Sequence, residues 1–123
     1  MRKILFIEDE SALQRAVSHV LIDKGYKMFS ALDGEIGIEV AKKEHPDLIL
    51  LDLIIPKKDG FAVLQELKED SSTADIPIIV LTNLEGSADV ERALALGATT
   101  YLVKTNYKLE EVVEKIKSIL GED

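Results

Sequence analysis

Five side chains able to bind, attack or carry charge stand where apolar runs of the sequence end. Glu8 and Asp9 follow Ile4-Leu5-Phe6-Ile7, Asp52 follows Leu48-Ile49-Leu50-Leu51, Thr82 follows Ile78-Ile79-Val80-Leu81, and Lys104 follows Thr100 to Val103. If these run ends meet, three carboxylates repel one another unless protonated or neutralised by a cation. A hard divalent ion with oxygen ligands, Mg2+, suits that set. The absence of cysteine, and the position of His19 and His45 away from the run ends, disfavour zinc. The ion would polarise an incoming phosphoryl group, and the Asp52 carboxylate would attack it to give an aspartyl phosphate. The metal, the Lys104 ammonium and the Thr82 hydroxyl would then bind the phosphoryl oxygens. Taken singly, each residue has a plainer use. Asp9 can cap a helix, Lys104 can be a solvated surface lysine, and Thr82 can be a β-prone residue closing a strand. Only their joint placement carries the chemical reading.

The elements that must bring them together alternate along the chain. Ile4 to Ile7 is a continuous apolar run and reads as a strand buried on both faces. Residues 11–24 place Leu13, Ala16, Val17, Val20 and Leu21 on one helical face, and Gly25 stops them. Met28 to Ala31 is a weaker strand. Residues 34–45 form a helix on Ile36, Val40 and Ala41, ended by Pro46. Leu48 to Leu51 is the third strand, and Pro56 with Asp59-Gly60 marks the loop after it. Phe61, Leu64 and Leu67 mark a third helix, and Ile78 to Leu81 a fourth strand. A short helix covers roughly 88–96, with Ser87 as its N-cap and Gly97 as its stop. Thr100 to Val103 is the last strand, and Leu109, Val112, Val113, Ile116, Ile119 and Leu120 trace the last helix. Five strands alternating with five helices predict an α/β fold, a doubly wound parallel sheet covered on both faces. In the order 2-1-3-4-5, strands one and three are neighbours, and the C-terminal edge gathers all five side chains at the switch in strand order.

Bulk properties narrow the functions. With 123 residues, 46% of them apolar and 31% charged, the chain suits one globular domain spanning residues 1–123. A net charge of −8 repels nucleic acid and anionic lipid, so neither is an expected partner. Lack of cysteine excludes disulfides, thiolate metal sites and thiol catalysis. The longest apolar stretch, Leu48 to Ile55, is broken by Asp52 and too short to span a bilayer, and Met1-Arg2-Lys3 leads straight into a strand. A cytoplasmic location is expected. The last helix uses up the chain, leaving no room for an effector domain within it.

At the level of motifs the chain resembles the receiver domains of two-component response regulators. IEDE at 7–10, LLDLIIPKKDG at 50–60, IIVLT at 78–82 and LGATTYLVK at 96–104 carry the resemblance, in the family's order and spacing. It implies the (βα)5 flavodoxin-like receiver fold and a phosphorelay switch. Asp52 would accept a phosphoryl group from a histidine kinase or a histidine phosphotransfer protein. Asp9, Asp52 and the backbone carbonyl of Ile54 would bind Mg2+ directly, and Glu8 mainly through water. Thr82 and Lys104 would hold the phosphate. Tyr101 matches the aromatic that moves inward as Thr82 shifts, altering the surface of helix 4, strand 5 and helix 5 for a downstream protein target. Self-phosphorylation and slow self-dephosphorylation would be the only chemistry, so no enzyme is expected.

Three positions depart from the family pattern. Glu8 replaces the more usual Asp and lengthens the arm. Asn83 replaces a small residue beside the acceptor. Thr105 follows Lys104 where a proline with a cis bond is usual, and a cis bond before a non-proline residue costs ~2.5–4 kcal/mol. Ile54 and Leu84 are expected to flank the approach of water to the phosphorus and to slow hydrolysis. The competing readings are a degenerate receiver that only binds proteins, a flavodoxin-like small-ligand binder, and a phosphoaspartate hydrolase. The charges of Glu8-Asp9-Glu10 oppose the second, and Ile54 in place of a second acid opposes the third.

Overall fold

The structure, a computed structural model, describes residues 1–122. Five strands alternate with five helices: β1 (Lys3–Ile7), α1 (Ser11–Asp23), β2 (Lys27–Ala31), α2 (Gly34–Glu44), β3 (Leu48–Leu51), α3 (Gly60–Glu69), β4 (Ile78–Thr82), α4 (Ser87–Ala95), β5 (Thr100–Val103) and α5 (Leu109–Leu120). The strands pair in parallel in the order β2-β1-β3-β4-β5. The doubly wound sheet expected from the alternation is therefore the fold. Its central strands are apolar on both sides because helices cover both faces. On one face α2, α3 and α4 pack over Leu5, Ile7, Ile49, Leu51, Ile78 and Val80. On the other, α1 and α5 cover Ile4, Phe6, Leu48, Leu50, Ile79 and Leu81.

Several local expectations are corrected. On α1 Ala16 is exposed, and the buried positions are Gln14, Val17 and Leu21. Gln14 stays inside because its amide donates to the carbonyls of Phe6, Glu8 and Ala31 at 3.1–3.3 Å. On α2 Ile36 is exposed, and Gly37, Ile38 and Ala41 face the sheet. That helix lies so close that a Cβ on Gly37 would come within 2.5 Å of Ile7 Cδ1. It ends on His45 in the left-handed region (φ 48°), one residue before Pro46. Gly86, not Ser87, is the N-cap of α4. A 3-10 turn over Lys104–Asn106 joins β5 to α5, and no peptide bond among the described residues is cis.

Candidate functional site

The cleft forms at the C-terminal edge of the sheet because the parallel ladder runs one residue past the strands. Glu8 N–H donates to Ala31 O (3.0 Å) and Asp52 N–H to Ile7 O (3.1 Å). With Ile7 opposite Leu51, the next residues, Glu8 and Asp52, emerge side by side. Behind the acceptor strand, Gly60 lets α3 begin against the chain: a Cβ there would strike the Leu53 backbone and lie 2.6 Å from Asp52 O. Asp59 caps α3 through its side chain, accepting from Ala62 N–H (3.1 Å). The DG pair thus sets how tightly the loop after β3 turns.

Glu8, Asp9, Glu10, Asp52, Ile54, Asn83 and Lys104 line this cleft, whose volume is about 210 Å³. Carboxylate oxygens of Glu8, Asp9 and Asp52 lie within 4.8 Å of one another. Glu8 and Asp52 are buried and Asp9 is exposed. Lys104 Nζ stands 2.6 Å from Glu8 Oε1 and 3.0 Å from Asp52 Oδ2. The other oxygens are also held: Glu8 Oε2 accepts from Glu10 N–H (3.1 Å) and Asp52 Oδ1 from Ile54 N–H (3.2 Å). Burial pushes the Glu8 carboxyl above its usual range, against the opposing pull of Lys104. Burial alone would lower the Lys104 ammonium, but the ion pair with Glu8 and the hydrogen-bonded Asp52 carboxylate outweigh it, and its pKa is raised.

The remaining expected residues stand further off. Thr82 is the last residue of β4, fully buried, with its hydroxyl 3.5 Å from Leu84 N–H; it does not line the cleft. Tyr101 is half-buried, and its hydroxyl donates to Leu84 O (2.7 Å), so it links β5 to the loop before α4. Burial, then the charges of Asp89 and Asp52, raise its pKa. Leu84 packs on the core beside α3 and α4 and leaves Asn83 as the cleft's neighbour of Ile54. Asp9 caps no helix: Glu10 is the N-cap of α1, without a side-chain cap bond. Sequence reasoning passed over Gln14, which ties the β1–α1 junction to β2; its signal was an amide on the apolar face of α1. Glu10 was also passed over as a cleft residue.

A family model for the response regulator receiver domain matches residues 4–117. The chain is similar to the DNA-binding dual master transcriptional regulator RpaA of Synechocystis sp., with 41% identity over 98% of this chain and 49% of that protein. It spans about half the length of the curated relatives it matches. Among solved structures it is similar to the Mn2+-bound form of response regulator Rcp1, with 33% identity, a TM-score of 0.84, and 96% of this chain and 93% of that chain covered. It is also similar to the receiver domain of the Pseudomonas aeruginosa sensor histidine kinase PA1611, described with magnesium coordinated in its active-site cleft. There the identity is 28%, the TM-score 0.88, and 98% of each chain is covered. These relatives correct the broad exclusion of nucleic acid. The charge argument concerns these 123 residues alone, while a relative about twice as long is DNA-binding.

Proposed function

Because the chain belongs to the response regulator receiver domain family, we propose that it is the phosphoryl-accepting switch of a two-component phosphorelay, with Asp52 as acceptor. One observation carries this reading: a buried Asp52 carboxylate, 3.0 Å from Lys104, in a cleft shared with Glu8 and Asp9. The donor is a histidine kinase or histidine phosphotransfer protein, whose phosphorus–nitrogen bond breaks as the Asp52 oxygen bonds to phosphorus. Ile54 N–H and Lys104 hold the two Asp52 oxygens, so the carboxylate is oriented before the donor arrives. Lys104 then meets the charge on the phosphoryl oxygens.

The cleft fits Mg2+. Its carboxylate oxygens lie within 4.8 Å of one another, and opposite ligands of an octahedral Mg2+ are about 4.2 Å apart. Three carboxylates and one ammonium leave a formal charge of −2, which a divalent ion neutralises. Asp9, Asp52 and the Ile54 carbonyl would hold it, with Glu8 behind a water. When bound, Mg2+ would offset repulsion among the acids and the charge on the transferring group.

Chemistry beyond accepting the group and losing it slowly to water is not part of this proposal. Ile54, two residues past Asp52, supplies no general acid. The output is a change at α4, β5 and α5 read by a protein target, in the cytoplasm. Acetyl phosphate or a phosphorylated kinase with Mg2+ should label the wild type, and Asp52→Asn should take no label. Full-rate labelling of that variant would reject the assignment.

A further inference from the structure

Among the described residues Arg92 pairs with no carboxylate. Its guanidinium lies instead over the ring of Phe61, 4.1 Å from the ring centre. Arg92 is exposed in the last turn of α4, and Phe61 is buried in the first turn of α3. A surface cation of one helix therefore rests on a core ring of another. That ring is placed by the acceptor loop. Gly60 N–H donates to Leu53 O (2.9 Å), and a Cβ on Gly60 would lie 2.6 Å from Asp52 O, so α3 begins against the acceptor's own backbone. The stack joins α4 to the acceptor loop by a path that passes through neither Thr82 nor Tyr101. Little else holds this helix, which buries only Ala93 and starts without a side-chain cap.

We propose that the stack of Arg92 on Phe61 is a latch: it ties α4 to the acceptor loop in the resting arrangement and holds back acceptance of the phosphoryl group. The consequence rests on the phosphoacceptor reading; the tie itself does not. The Thr82 hydroxyl lies 3.5 Å from Leu84 N–H, in the loop before α4. For it to reach a phosphoryl group on Asp52, that loop must move, and α4 with it. A contact made in only one of two arrangements biases the chain against the other. Releasing Arg92 frees α4 to follow and makes the accepting arrangement more populated.

The experiment is a double-mutant cycle with Arg92→Met, Phe61→Leu and both. Arg92→Met keeps an apolar arm at an exposed position and is expected to fold as wild type does. Phe61→Leu removes the ring and leaves the charge at the helix end. Without phosphate, amides of residues 87–95 should exchange about threefold faster in Arg92→Met, and those of β1 and β3 at the wild-type rate. At saturating Mg2+ each single variant should take label from acetyl phosphate about threefold faster than wild type, and the double no faster than either. Loss of a cation disfavours an anionic donor, so a gain in rate for Arg92→Met reports the release of α4. Faster exchange with an unchanged or slower labelling rate would make the stack a staple common to both arrangements and overturn the latch. Effects of the two substitutions that multiply would overturn it as well. A wild type that takes no label would instead reject the phosphoacceptor reading, and the exchange of α4 would still decide the tie: a helix no looser in Arg92→Met removes it.

Discussion

At the scale of single residues, the approach to Asp52 is narrowed by Ile54 and Asn83. Ile54 is 55% exposed and lines the cleft beside the three acids. It can neither orient nor activate a water. Aspartyl phosphate loss should therefore be slow, and Ile54→Asn should speed it about tenfold by giving water a hydrogen-bonding partner. Following the decay of labelled protein in excess Mg2+ checks this; a variant no faster than wild type removes the shielding argument. Leu84→Gln, which sequence spacing alone would have paired with it, should change the decay little, because Leu84 packs on the core instead.

At the scale of elements, α4 is the loosest piece. It buries only Ala93, starts without a side-chain cap, and follows an exposed stretch from Glu85 to Ala88. Besides Ala93, the Arg92 guanidinium over the Phe61 ring at 4.1 Å tethers α4, and the Tyr101 hydroxyl on Leu84 O tethers its leading loop. Thr82 lies under the same loop, so a pull on its hydroxyl acts where the element is weakest. Hydrogen exchange with and without a phosphoryl mimic should change most within residues 83–105. The largest change falling on α1 and α2 would reject α4–β5–α5 as the output face.

For the whole molecule, the proposed Mg2+ site at the acid cluster should make stability depend on the divalent ion. Mg2+ at about a hundred times its dissociation constant should add ~2.7 kcal/mol to unfolding, since the unfolded chain lacks the site. Thermal melts of Asp9→Ala should lose most of that increment and match or exceed wild type in chelator, one repelling charge being absent. The far end of the molecule is closed differently. The Tyr26 hydroxyl donates to Glu122 Oε1 (2.6 Å) and Arg2 pairs with the same carboxylate (3.5 Å), tying the end of α5 to the α1–β2 turn. Burial, then Glu122, push the Tyr26 pKa up to about 12. A raised pKa means that the folded state keeps the proton longer. The contribution is complete below the ordinary value of about 10 and is lost as pH rises from there through 12. Urea midpoints between pH 9 and 12 should fall for wild type and fall less for Tyr26→Phe.

The apolar runs by themselves determined the three central strands and the positions of Glu8, Asp9 and Asp52, because a strand buried on both faces leaves an uninterrupted signature and its first polar residue marks the exposed edge; the edge strands β2 and β5, and with β5 Lys104, were placed by the alternation of strands and helices. Motif spacing added the acceptor loop, where Asp59 and Gly60 do local work that their residue types announce. What each helix buries was legible only in part. Periodicity put Ala16 and Ile36 inward, but the observed faces are set by how closely each helix approaches the sheet, which admits Gly37 and a three-way bonded Gln14 instead. Only tertiary structure decided the pairings within the cleft. Whether Lys104 reaches Glu8 as well as Asp52, whether Leu84 or Asn83 faces the acceptor, and where Tyr101 rests its hydroxyl all depend on side-chain directions across strands far apart in sequence. No local pattern encodes those directions, because they follow from the register and twist of the assembled sheet.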